Sequence, residues 1–180
     1  MKHVLLLYGL QGSDAPHWQS WLKNELESTQ KYHVYFPQLT NNTNPQKDIW
    51  IEEVMHIMLE HKIDTVITHS LGNILWFHLC NDSRFKTLHV NTLLLVAPPR
   101  DLRDMKAVES FFPYTIPSTL HANTILMVGS DNDPYMNTNE LEALSNALHV
   151  KHTIISNAGH INASSGYGAW PWIKEWILTN

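Results

Sequence analysis

The stretch Val66-Ile67-Thr68-His69-Ser70-Leu71-Gly72-Asn73-Ile74-Leu75 decides the fold. An apolar run stops at a serine, a glycine follows two positions later, and a second apolar run begins. The first run reads as a strand covered on both faces, the second as a buried helix, with the serine at the junction. Working outward, five more short apolar runs recur: His3–Tyr8, His33–Phe36, Thr92–Ala97, Thr124–Val128 and Thr153–Ser156. Helical spacing appears between them at Pro16–Ser28, Lys47–His61, Gly72–Cys80, Asn139–His149 and Pro171–Leu178, with Asp14 as the expected N-cap ahead of Pro16. Strands alternating with helices form βαβ units, so the expected fold class is α/β, a six-stranded, mostly parallel sheet with helices on both faces.

The 180 residues are 43% apolar and only 16% charged, and they include seven tryptophans, a balance that excludes intrinsic disorder. The net charge of −5 and the lack of any basic run argue against nucleic-acid binding. A single cysteine, Cys80, excludes an intrachain disulfide framework and fits a reducing compartment. No apolar run reaches the length of a membrane span, and the first one lacks a signal-peptide cleavage pattern. The expectation is therefore a cytoplasmic protein, with one domain over residues 1–180. No Gly/Ser-rich or Pro-rich linker divides the sequence. Its one long irregular segment is Pro98–Asn123, where Asp101–Ser110 could form a short helix.

A serine on a sharp strand-to-helix turn is the setting of the G-x-S-x-G nucleophile elbow. The turn lifts Oγ out of the sheet and aims the next backbone N–H, that of Leu71, into the same space. Gly72 lets helix and strand approach closely, whereas Thr68 replaces the first glycine of the pattern. Ser164-Ser165-Gly166 matches the tripeptide too, but no strand leads into it.

Twelve histidines are available as a base, so position has to discriminate. In elbow enzymes the acid and then the histidine follow the serine along the chain, each in a loop after a strand. His160 stands just beyond the last apolar run and Asp133 beyond the fifth, at the carboxyl ends where sites of open α/β sheets collect. Asp131 competes with Asp133, which has the advantage of preceding the turn-defining Pro134. His69 adjoins Ser70 and points elsewhere; His17 could line a pocket. No metal-ligand spacing, dinucleotide fingerprint or P-loop is present, and no cofactor is needed. After the first strand, Gly9-Leu10-Gln11-Gly12-Ser13 is either an ordinary βα turn or the source of a second oxyanion donor, from Leu10 or else Gln11.

Ser70-Leu71-Gly72, Ser130-Asp131-Asn132-Asp133-Pro134-Tyr135 and Gly159-His160-Ile161-Asn162 resemble the motifs of the small α/β-hydrolases grouped with retinoblastoma-binding protein 9. His17-Trp18-Gln19 and the stretch from Ser165 to Pro171 resemble the bacterial members. The resemblance implies a serine hydrolase with Ser70, Asp133 and His160 as nucleophile, acid and base, and a sheet order of 2-1-3-4-5-6. Six strands and their helices leave only Pro98–Asn123 as spare chain, too little for a separate cap domain. The L-x-C-x-E partner-binding motif is missing, since His78 and Asp82 flank Cys80 at the matching positions. The expected substrate is a small acyl compound, an ester ahead of an amide or thioester, with a non-catalytic binding module as the rival class. Phe111, Phe112, Tyr114 and Trp170 are candidates for its apolar pocket.

Overall fold

The computed structural model describes residues 1–180. Six strands, β1 (Lys2–Leu7), β2 (Tyr32–Tyr35), β3 (Thr65–His69), β4 (Val90–Val96), β5 (Ala122–Ser130) and β6 (Lys151–Ile155), form one sheet in the order β2-β1-β3-β4-β5-β6. Every neighbouring pair is parallel. The order is the expected one, and "mostly parallel" becomes wholly parallel. Five helices connect or follow the strands: α1 (Trp18–Glu27), α2 (Lys47–Glu60), α3 (Leu71–Asn81), α4 (Thr138–Ala147) and α5 (Pro171–Thr179).

Successive residues of a strand point to opposite faces, and the central strands β3 and β4 are buried on both faces at nearly every position. Val4 and Leu6 therefore face a core shared with Trp18, Leu22 and Leu26 of α1 and with Ile173 and Ile177 of α5. Leu5 and Leu7 face a second core containing Trp50 and Val54 of α2, Ile74 and Phe77 of α3, and Leu141 of α4. Two helices thus cover one face and three the other.

Some boundaries differ from the sequence reading. Helix α1 begins at Trp18, and its N-cap is His17, whose Nδ1 accepts from the Gln19 N–H at 3.2 Å. Asp14 is exposed instead, and its carbonyl accepts from the His17 N–H in the preceding turn. Between β4 and β5 the only regular structure is a 3-10 segment, Lys106–Phe111, so no separate cap domain covers the sheet.

At the start of α3, a Cβ on Gly72 would lie 2.5 Å from the Leu7 carbonyl oxygen and 2.9 Å from that of Tyr8. The helix can cross the end of β1 this closely only because position 72 has no side chain. That crossing brings the β3–α3 turn and the β1–α1 loop together over the carboxyl ends of the strands.

Candidate active site

Ser70 lies between β3 and α3 with φ 53° and ψ −124°, outside the regions that L residues prefer. Strain of this kind persists only where surrounding contacts hold it. Asn73 provides them. Its Nδ2 donates to the carbonyls of Ser70 and Val96, both at 2.8 Å, while its Oδ1 accepts from the hydroxyl of Thr68 at 2.6 Å. Thr68, which departs from the glycine of the elbow pattern, is thereby absorbed as a brace. Asn73 was not singled out from sequence; a polar residue in an otherwise apolar helical run was the available signal.

The structure brings Ser70, His160 and Asp133 together. His160 Nε2 lies 2.8 Å from Ser70 Oγ, and His160 Nδ1 lies 2.9 and 3.0 Å from the two oxygens of Asp133. Asp133 Oδ1 also accepts from the Tyr135 N–H at 2.8 Å. Asp131 is occupied elsewhere: it accepts from Ser156 Oγ and the Asn157 N–H, tying the β6–α5 loop to the end of β5. Between the two aspartates, Asn132 Oδ1 accepts from the Gly159 N–H at 2.7 Å, which fixes the approach to His160. From the other side, the His160 carbonyl accepts from His69 Nε2–H at 3.0 Å. His69 is therefore not a spare base but a support for the backbone that carries His160.

Gly9 is a further site residue that the sequence reading passed over. A Cβ there would lie 2.7 Å from Ser70 Cβ, 3.0 Å from its Oγ and 3.2 Å from the Leu71 nitrogen. Glycine thus keeps open the space beside the Oγ into which the Leu71 N–H points. Leu71 opens α3, so its N–H has no acceptor within the helix. The Leu10 N–H makes no hydrogen bond in the protein, whereas the Gln11 N–H donates to the Asn42 carbonyl at 2.7 Å. Gln11 is consequently removed as a candidate oxyanion donor, and Leu10 remains.

With this geometry in place, comparison with known proteins is informative. Residues 4–179 match the serine hydrolase family. The chain belongs to that family. No curated protein matches the sequence. Among solved structures, the ydeN gene product of B. subtilis superposes with a TM-score of 0.84 at 16% identity, covering 99% of this chain and 98% of that one. A YdeN-like hydrolase from Pectobacterium atrosepticum gives 0.74 at 21% identity, with coverages of 98% and 89%. Naproxen esterase from Bacillus subtilis gives 0.66 at 12% identity, covering 99% of this chain and 82% of its own. At these identities the likeness is one of fold.

The aromatic pocket expected for this hydrolase is corrected by the structure. Phe111 is fully buried against Trp50, and Phe112 and Tyr114 pack on each other beside α3. Trp170 stacks on Trp172 and packs against Trp18. None of the four lines the space around Ser70, because large apolar rings are worth more in the two cores. Leu102, Met105, Val108 and Tyr135 form the apolar wall beside Ser70 instead. Three of these come from the β4–β5 segment that looked irregular in sequence. His17 does line the site, on its opposite, polar side. No helix of the chain is long and apolar enough to cross a membrane.

His17, His69 and His160 form a row, with ring centroids 4.9 Å apart for the first pair and 5.2 Å for the second. Burial, and then the neighbouring His160, lower His17 from 6.5 to about 4. The same two causes, followed by His17, hold fully buried His69 well below 6.5. Both are neutral in the folded protein, while in the unfolded chain each takes up a proton near 6.5. Their contribution to stability is thus complete above that value and is lost as pH falls from about 6.5 towards 4. The Tm should drop between about pH 7 and about pH 5, and drop less in His17→Asn, which retains a capping oxygen. Equal drops in thermal melts of the two proteins would show that His17 takes no part.

Proposed function

We propose that the protein hydrolyses small carboxylic esters through an acyl-enzyme on Ser70. The observation that carries this reading is the unbroken hydrogen-bonded path from Ser70 Oγ through both nitrogens of His160 to the buried carboxyl of Asp133. As His160 Nε2 takes the Oγ proton, the oxygen attacks the ester carbonyl, whose electron pair moves onto its oxygen. The N–H groups of Leu71 and Leu10 receive that oxyanion. Collapse expels the alkoxide, which leaves with the proton from His160. Water then repeats the sequence, with His160 again acting as base, and releases the carboxylic acid. Asp133 keeps the Nδ1 proton in place and stabilises the imidazolium. An ester asks less of such a site than an amide, since an alkoxide is a far better leaving group than an amide anion and needs less help from the proton that His160 carries.

The strings around Ser70, Asp133 and His160 support placing the chain with the retinoblastoma-binding protein 9 group of hydrolases, and the lone buried Cys80 suits a cytoplasmic setting. The deciding experiment is reaction with a fluorophosphonate, which phosphonylates an activated serine, followed by peptide mass spectrometry. The adduct is expected on the peptide containing Ser70. Labelling elsewhere, or none at pH 8, would sink the reading.

A further inference from the structure

Two recesses meet at Ser70, and they differ in chemistry. One, of about 190 Å³, is walled by Leu71, Pro99, Leu102, Met105 and Val108. The other, of about 320 Å³, is polar, formed by the loop from Gly9 to Asp14 together with His17, Asn162 and Ser164. Leu10, Gln11, Ser70, His160 and Asn162 border both, while Ser13, Asp14 and His17 belong to the polar recess alone. An ester bound with its carbonyl carbon at Ser70 Oγ therefore has its halves in two unlike environments.

The polar recess carries hydrogen-bonding groups that the protein itself leaves unused. Ser13 is 3% exposed, and its hydroxyl has no partner. His17 is 6% exposed; its Nδ1 accepts from the Gln19 N–H, which puts the ring proton on Nε2, and Nε2 has no partner in the protein. Burial and His160 keep that ring neutral to about pH 4, so it presents a single donor rather than a charge. Buried polar groups are ordinarily satisfied, so the unpaired Ser13 hydroxyl, with the partnerless His17 Nε2–H on the same wall, marks a place where a ligand supplies the partners. Asp14, on the same recess, disfavours an anionic occupant.

We propose that the polar recess is the leaving-group site and accepts an uncharged, polyhydroxylated alcohol, while the acyl chain lies against Leu102, Met105 and Val108. This inference rests on the acyl-enzyme reading given above. Hydroxyls of the alcohol accept from His17 Nε2–H and exchange hydrogen bonds with Ser13 and Asn162. The apolar recess desolvates a short acyl chain, which has no use for those groups.

Glyceryl monobutyrate and ethyl butyrate share one acyl-enzyme, so they differ only in the step that expels the alcohol. Wild-type enzyme is expected to favour the glyceryl ester in kcat/KM. In His17→Asn, which keeps the cap oxygen but whose shorter amide places no donor at the Nε2 position, the glyceryl-to-ethyl ratio of kcat/KM should fall roughly tenfold, as for one lost hydrogen bond. Ser13→Ala, which removes an unpaired hydroxyl and so spares the fold, should lower the same ratio by a smaller factor. Single-turnover measurement of deacylation, after the alcohol has gone, should change far less than acylation in both variants. Wild-type indifference to the alcohol, an unchanged ratio in both variants, or an equal loss in deacylation overturns the assignment; the last places the acyl half in the polar recess. Failure of the parent reading shows separately, as absence of fluorophosphonate labelling at Ser70.

Discussion

Asp133→Asn is expected to lower kcat for ester hydrolysis by about 10⁴-fold without unfolding the protein, the size of effect produced when the base is held in the wrong tautomer. Asp133 receives His160 Nδ1 between its two oxygens at 2.9 and 3.0 Å, so the ring is held with its proton on Nδ1 and its Nε2 free to accept from Ser70. An amide at position 133 can turn its NH₂ towards Nδ1, which then accepts. The ring proton moves to Nε2, and the base faces Ser70 already protonated. Asp131→Asn is the internal control. Asp131 is exposed and accepts only from the Ser156 hydroxyl and the Asn157 N–H, so its loss should cost activity by a far smaller factor. Steady-state rates of the two variants, with circular dichroism to verify folding, decide the matter. Comparable losses would show that Asp133 acts through loop structure alone.

Gly9→Ala should reduce kcat/KM by about 10²- to 10³-fold, the range seen when an oxyanion donor is lost. The added methyl would fall 2.7 Å from Ser70 Cβ and 3.0 Å from Oγ, closer than carbon atoms tolerate, with the braced elbow on the other side. Asn73 anchors the Ser70 carbonyl, so the turn cannot simply retreat. Either the methyl occupies the space in front of the Leu71 N–H or β1 shifts and carries the Leu10 N–H away. Both remove stabilisation that matters only once the carbonyl oxygen becomes charged, so the rate of fluorophosphonate labelling should fall along with hydrolysis. Activity within threefold of wild type would show that the space beside Gly9 is not where the oxyanion forms.

Much of this molecule is legible without coordinates because its cues are local. Apolar runs flanked by helical spacing specify strands buried on both faces. The three loops bearing Ser70, Asp133 and His160 follow strands β3, β5 and β6, and a parallel sheet places such loops at one edge. The serine hydrolase family was within reach of the motifs, and the sheet order followed only from the family that those motifs resemble. Less legible was anything that depends on which groups meet across the chain. The aromatics near position 111 read as pocket candidates because they sit in an irregular segment, yet Phe111 packs on Trp50 of α2. Leu102, Met105 and Val108 carry no local mark of their task, which arises only when the β4–β5 segment folds over the crevice.

The sequence alone determined that Ser70 would stand on a strand-to-helix turn with Gly72 beneath it, since strand, turn and helix are each specified by neighbours a few residues apart. Tertiary structure alone decided which competing groups remained free for chemistry. Asp131 and Asp133 occupy one loop, and what separates them is that Ser156 and Asn157 occupy the first while His160 meets the second. Leu10 and Gln11 are adjacent, and the Asn42 carbonyl takes the N–H of one and leaves the other. Every backbone carries the same donors and acceptors, so their availability is settled by distant partners that no local pattern of side chains encodes.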